Sequence, residues 1–285
     1  MKRIGFIDYY LDEWHANNYP AWIKKSPANK SGYKVAYAWG EKTSPGGIST
    51  EAWCQKNKAA LCTSIEEVCE KSDALVILSP DNAEKHLEYA GKALPFGKRT
   101  YIDKTFTPSL REAEEIFSLG KKYKTPLCSA SSLRFASEIA EYHGNAKSII
   151  TLGSGPSYET YAVHQLEMIT KVMGAGAEKL MVIQNGLNLS LVIVYKDGKR
   201  AVYNQQINSK VPFTVGVEAK GAKAVEYRPI VSDFFKNFID ALMDFFETGN
   251  VLADKKETLA VIALIEAGME GIKKPDNWIK VDAVP

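Results

Sequence analysis

The sequence predicts an α/β protein. A doubly wound parallel sheet is expected over residues 1–127, followed by an α+β domain with an open, mostly antiparallel sheet over residues 128–285. Three observations predict this. In the first half, short apolar runs alternate with helix-period segments about every 25 to 30 residues, the spacing of βαβ units. In the second half the apolar residues recur at every other position, as in half-buried antiparallel strands. The length of 285 residues, 45% apolar and 11% aromatic, suits two ordinary folded domains.

The elements follow in order. "RIGFID" at residues 3–8 is an apolar run closed by a polar break, the pattern of a buried strand. "YKVAYAWG" (33–40), "ALVILS" (74–79), "KRTYID" (98–103) and "TPLCSAS" (125–131) repeat it. Between them lie helices. "SIEEVCEKS" starts at Ser64 with Glu67 three residues on, and "SLREAEEIFSLGKKYK" starts at Ser109 with Glu112 three residues on. Both are capping boxes, and the second carries acids early and lysines late, as the helix dipole favours. "NAEKHLEYAGKAL" sets Ala83, Leu87, Ala90 and Leu94 on one face.

Beyond residue 130, "SSLRFASEIAEYH" reads as a helix, and six strand-like runs follow, from "KSIITLGSG" to "KAVEYRPI". Asp197-Gly198 marks a tight hairpin turn among them. "HQLEMITKVMG", "VSDFFKNFIDALMDFFETG" and "DKKETLAVIALIEAGMEGI" are helical, the middle one with a core-facing stripe of Phe234, Phe238, Leu242 and Phe245.

Charge and composition narrow the function. A formal net charge of +2 with no basic face argues against a nucleic-acid partner. No apolar run approaches the roughly 18 residues of a membrane span, and the N-terminal run is too short for a signal peptide. A cytoplasmic protein without a membrane partner is expected. Cys54, Cys62, Cys69 and Cys128 form no C-x-x-C pair and suit no zinc spacing, so reduced thiols and no metal site are expected.

In an open parallel sheet, ligands bind at the carboxyl ends of the strands. The polar breaks there supply the candidate cofactor contacts: Asp8, Tyr9 and Tyr10 after the first strand, Trp39 and Glu41 after the second, Ser79, Pro80 and Asp81 after "ALVIL", and Asp103 after "KRTYI". Lys104 follows directly on that last strand, where a cation can meet a reacting hydroxyl or carbonyl. His164 is expected at a helix start, where the dipole favours the neutral form that accepts a proton. On residue chemistry alone, Lys104 reads equally as a surface-loop lysine and His164 as a capping or packing residue.

The ordered series Ser79-Pro80, Gly97-Lys98, Asp103-Lys104-Thr105, the "SLREAEEI" helix and Arg134-Phe135 resembles the glucose-fructose oxidoreductase / inositol dehydrogenase / rhizopine-catabolism family of NAD(P)-dependent oxidoreductases. The resemblance spans roughly residues 3–175. It implies a Rossmann domain followed by an α/β domain whose mostly antiparallel sheet mediates a homodimer or homotetramer. It implies a sugar- or cyclitol-like substrate, with Lys104 binding nicotinamide and substrate and His164 transferring the proton. Arg134, Thr160 and Glu167 are the remaining candidate substrate contacts. Glu41 favours NAD over NADP, because a carboxylate repels a 2′-phosphate.

The departures are specific. Asp8, Tyr9 and Tyr10 stand where the first glycines of Gly-x-Gly-x-x-Gly belong, and no glycine occurs between Gly5 and Gly32. Thr160 replaces the aspartate four residues before the histidine, Glu167 replaces an aspartate three after it, and Thr105 replaces the proline of Glu-Lys-Pro. Two readings result: an oxidoreductase with an altered phosphate loop, or a protein that keeps the scaffold and binds a sugar-like ligand without a redox cofactor.

Overall fold

A computed structural model describes residues 1–207 and 209–285. The chain forms two compact units. The first comprises Met1–Ala130 and Lys236–Asp254, the second Ser131–Phe235 and Lys255–Pro285.

The first unit carries β1 (Arg3–Tyr10), α1 (Trp14–Lys25), β2 (Lys34–Lys42), α2 (Thr50–Asn57), β3 (Ala60–Leu61), α3 (Ile65–Lys71), β4 (Ala74–Ile77), α4 (His86–Ala93), β5 (Thr100–Ile102), α5 (Leu110–Tyr123) and β6 (Leu127–Cys128). All six strands are parallel, in the order β3-β2-β1-β4-β5-β6. This is the doubly wound Rossmann order, and it reverses direction between β1 and β4. The strand runs are buried because both faces of the sheet are covered: Ile4, Phe6, Ile7 and Ala74 to Ile77 are fully enclosed. α3 lies so close to β1 that a Cβ on Gly5 would stand 2.4 Å from Val68 Cγ1. The predicted caps form, with Ser64 and Ser109 accepting from the amides of Glu67 and Glu112. All four cysteines are buried and unpaired.

In the second unit, two 3-10 turns (Ser132–Phe135 and Ser137–Tyr142) stand where the sequence predicts one helix. Then come β7 (Ala146–Gly155), α6 (Tyr158–Met173), β8 (Ala177–Asn185), β9 (Asn188–Tyr195), β10 (Arg200–Ile207), β11 (Thr214–Ala219) and β12 (Glu226–Pro229). α7 (Phe234–Thr248) precedes α8 (Lys255–Lys273) and β13 (Trp278–Lys280). The sheet order is β12-β11-β7-β10-β9-β8-β13, antiparallel except for the β7/β10 pair. The β9–β10 hairpin turns at Asp197-Gly198, with Gly198 at φ 83°. One face of this sheet is buried through Leu191, Ile193, Ala201 and Tyr203, with Tyr158 of α6 edge-on to Tyr203. The alternate residues, among them Met181, Val192 and Val202, are only half-buried and adjoin one another across the strands.

The sequence draws the boundary at 127/128. The structure ends the first segment at Ala130, because the Tyr101 hydroxyl of β5 donates to the Ala130 carbonyl at 2.9 Å. It also returns residues 236–254 to the first unit. The phenylalanine stripe explains that return: Phe238 lies against Tyr19 and Tyr101, and Phe246 against Tyr33. Polar ties complete it, since Arg99 donates to the Phe246 carbonyl at 2.5 Å and Ser31 to the Glu247 carboxylate at 2.6 Å. Among the described residues, no helix is long and apolar enough to cross a membrane.

Candidate active site

In the first unit the strand ends gather most of the expected cofactor residues. Asp8 and Tyr9 are strand residues, since β1 runs through Tyr10. Asp8 is buried and accepts the Ser79 amide at 2.9 Å, joining the ends of β1 and β4. The Tyr9 amide donates to Ser79 Oγ at 3.0 Å. Asp8, Tyr9 and Tyr10 thus lie at the carboxyl end of β1 rather than in a loop, and Asp8 accepts from Ser79. Burial, then the nearby Glu13, pushes the Asp8 carboxyl well above its ordinary value. Tyr9 and Tyr10 stack edge-on at 4.5 Å, with the Lys42 and Lys85 ammoniums over the Tyr9 ring.

Glu41, at the end of β2, accepts from Lys85 Nζ at 3.1 Å and from the Tyr89 hydroxyl at 2.7 Å. Burial opposes its charge, but Tyr89 and Lys85 outweigh burial and hold its carboxyl below the ordinary value. Trp39 packs edge-on to the same Tyr89. Pro80 and Asp81 form the turn after β4, and Asp81 is exposed.

Asp103 and Lys104 follow β5 as expected. Lys104 is half-buried, and its peptide to Thr105 is cis. Asp103 is buried, accepts from the Tyr101 hydroxyl at 2.8 Å, and pairs with His15 Nδ1 at 3.0 Å. Burial disfavours its charge, but His15, Lys104 and Tyr101 more than compensate and keep the carboxyl ionised. His15 was not among the expected residues, and neither was Glu13. Glu13 is the N-cap of α1: its carboxylate accepts the amides of His15, at 2.7 Å, and of Ala16. Burial raises the Glu13 carboxyl to about 7. Burial alone would lower His15, yet Asp103 turns the net shift upward.

In the second unit a polar chain surrounds His164. Ser131 Oγ lies 2.7 Å from His164 Nδ1, and the Ser131 amide donates to Glu167 Oε1 at 3.1 Å. Arg134 Nη1 donates to Glu167 Oε2 at 3.2 Å, and its Nη2 pairs with Glu257 of α8. Glu257 in turn meets His143 Nε2 at 2.9 Å. Tyr161 and Phe213 flank the His164 ring.

One expectation is corrected here. His164 is not at a helix start: α6 begins at Tyr158 with Ser157 as its cap, which places His164 in the second turn. The dipole effect fades within the first turn, and Ser131 Oγ lies against Nδ1. Arg134 and Glu167 are 5% and 4% exposed and bound to each other. Thr160 is exposed, and its hydroxyl meets Ser157 Oγ at 2.8 Å, one helical turn before His164.

A dinucleotide meets this arrangement unevenly. The acid at the tip of β2 suits ribose hydroxyls. The pyrophosphate end does not fit as it stands. That end of a Rossmann site needs free amides at the start of the first helix and a backbone without side chains in the way. Glu13 takes two of those amides, and Leu11, Asp12 and Glu13 form the turn.

No protein-family profile matches the chain. A 75-residue stretch is 33% identical to the uncharacterized oxidoreductase YhhX of Escherichia coli, covering 26% of this chain and only 22% of that protein. Solved structures match over nearly the full length at low identity. GenD2 from gentamicin A biosynthesis, in complex with NAD, superposes with a TM-score of 0.80 at 12% identity over 99% of this chain and 97% of its own. The apo scyllo-inositol dehydrogenase of Lactobacillus casei gives 0.77 at 11% over 98% of each. UDP-N-acetylglucosamine 3-dehydrogenase GnnA of Acidithiobacillus ferrooxidans gives 0.76 at 13% over 95% of this chain and 97% of its own. The chain therefore has the Rossmann-plus-open-sheet fold shared by these proteins.

Proposed function

We propose that the protein is an oxidoreductase that interconverts an alcohol and a carbonyl on a sugar- or cyclitol-like substrate, with a nicotinamide dinucleotide as redox partner. The observation that carries this reading is Lys104 at the carboxyl end of β5, beside an ionised, buried Asp103, in a chain with this dehydrogenase fold. When bound, the nicotinamide supplies the hydride acceptor or donor. Lys104 places a cation against the substrate oxygen, which stabilises the developing alkoxide. His164 exchanges the hydroxyl proton. In the tautomer whose Nδ1–H donates to Ser131 Oγ, Nε2 is the nitrogen that accepts it. The solved complex of GenD2 with NAD supports the dinucleotide, and Glu41 favours NAD over NADP. The half-buried sheet face around Val192 and Val202 supports assembly as a homodimer or homotetramer.

The test is a thermal-shift screen with NAD, NADH, NADP and NADPH, followed by turnover on a polyol panel. A dinucleotide at a hundred times its dissociation constant adds about 2.7 kcal/mol of stability. Lys104→Ala should abolish turnover with the melting temperature unchanged. Turnover that survives the substitution removes Lys104 from the reaction.

A further inference from the structure

We propose that His86 is a positioning residue for Lys104: its buried imidazole bridges the Leu78 carbonyl, just past β4, and the Phe106 carbonyl, and so fixes the segment that carries the Lys104 ammonium. This rests on the reading of Lys104 as a reacting group given above.

His86 opens α4, and nothing about a helix start calls for it. Imidazole is not a favoured cap, and the dipole there disfavours a cation. The ring is nonetheless fully enclosed, at 0% exposure. A polar ring buried that deeply costs free energy unless its nitrogens find partners. It finds two, both carbonyl oxygens from outside its own helix. Nδ1 lies 2.8 Å from the Phe106 oxygen, and Nε2 lies against the Leu78 oxygen. A neutral ring has one N–H to give and an imidazolium two. Burial holds the imidazole below its ordinary value against the upward pull of the Phe106 and Leu78 carbonyls and of Asp103, and Lys104 adds to the lowering.

The two carbonyls belong to segments that meet at the carboxyl edge of the sheet. The Leu78 amide donates to Ile7 of β1 at 2.8 Å, which fixes that residue to the sheet. Phe106 is two residues past Lys104, and its ring packs against Phe117 of α5 at 5.1 Å. On the other side of Lys104, the Asp103 amide donates to the Ile77 carbonyl at 2.9 Å. Lys104 is therefore held between two anchors to the β4 segment, one through Asp103 and one through His86. The same helical turn does more. Lys85 Nζ and the Tyr89 hydroxyl both reach Glu41 at the end of β2. Residues 85–89 thus tie together the ends of β2, β4 and β5. A lysine carries its charge on a long flexible stem, so the backbone beneath it has to be fixed if the charge is to be placed. A misplacement of about 1 Å can cost on the order of 100-fold in rate.

The experiment compares the full chain with His86→Leu, His86→Asn and His86→Gln by amide hydrogen exchange and by turnover on the polyol panel. The asparagine amide falls where Nδ1 stands and keeps a donor for Phe106. The glutamine amide reaches toward Leu78, and leucine bonds neither. Exchange over residues 103–107 should be about tenfold faster in the leucine and glutamine variants, the worth of one hydrogen bond, and near the natural rate in the asparagine variant. Where turnover is found, kcat should fall on the order of 100-fold in the same two variants, with KM little moved, and the asparagine variant should recover most of it. If the leucine variant folds poorly, the contrast between asparagine and glutamine carries the test. Equal behaviour of those two variants, or unchanged exchange over 103–107, overturns the proposal. If exchange is unchanged and turnover survives in all three, the proposal falls and the oxidoreductase reading stands. If exchange quickens in the leucine and glutamine variants of a chain that turns over nothing, the tie to Lys104 stands and the oxidoreductase reading falls.

Discussion

The hydroxyl of Ser131 sits 2.7 Å from Nδ1 of His164, in a second unit where no aspartate precedes the histidine by four residues. Ser131 is itself anchored through its amide to Glu167, and Glu167 through Arg134 to Glu257. The serine therefore engages one imidazole nitrogen directly.

Ser131→Ala should lower kcat about tenfold, the worth of one directing hydrogen bond near 1.4 kcal/mol. It should also shift the pH profile of kcat, and Ser131→Thr should restore both. His164→Ala should cost more, on the order of 100-fold or beyond, as loss of a general base does. A Ser131→Ala enzyme with normal kcat and an unmoved pH profile would show the contact to be packing alone.

Arg134 and Glu167 should register as stability before they register as substrate binding. Removing one partner of a buried ion pair leaves an uncompensated charge and costs about 3 to 5 kcal/mol. Arg134→Met exposes two carboxylates, Glu167 and Glu257, to that penalty. Urea denaturation should show a loss of that size. A variant of normal stability with a raised KM would return Arg134 to the substrate.

Stability should fall as pH rises from about 5 to about 8. Burial raises the carboxyl of Glu13 from 4.5 to about 7, and His15 is raised from 6.5 on balance. A group raised on folding contributes stability that is complete below its unfolded value and lost as pH climbs through its folded one. For Glu13 that window runs from 4.5 to about 7. The groups facing Glu13 are His15, Asp103, Asp8 and Tyr19. Asp8 is raised as well and adds in the same sense, whereas Asp103 is lowered and gives up its contribution only in strong acid. Melting curves should show the slope, and Glu13→Gln should flatten it. Parallel slopes for the two proteins would refute the assignment.

If the proposed assembly through the sheet of the second unit holds, Val202→Asp should yield monomers. Val202 lies directly across from Val192, which in turn adjoins Met181, on the half-buried sheet face. A charge there has no partner to offset its burial between subunits. Light scattering on a sizing column reads the result, and an unchanged mass would move the interface elsewhere.

Much of the fold is written in the local pattern. The strand runs are fully enclosed, so they read as unbroken apolar stretches, and Ser64 and Ser109 announce their helices. The short β3, both of whose residues are exposed, and the three-residue β13 carry no comparable signal. The phenylalanine stripe of α7 shows that the helix is buried but not in which core, because nothing local names Tyr19 or Tyr101 as its neighbours. In the site, Lys104 is legible from its place after a strand. Glu13 is not, since glutamate carries no N-cap preference. Ser131 and His164 are 33 positions apart, and Arg134 and Glu257 are 123 apart. No short-range rule connects residues at such distances.

The return of residues 236–254 to the first unit has a practical consequence for anyone who would cut or graft this chain. A fragment ending at Ala130 would leave Tyr19, Tyr33 and Tyr101 facing water where Phe238 and Phe246 now lie. Neither half is a continuous stretch of gene. A chimaera that exchanges substrate preference has to splice at three joints, near 130, 235 and 254, and leave the aromatic helix with its original owner.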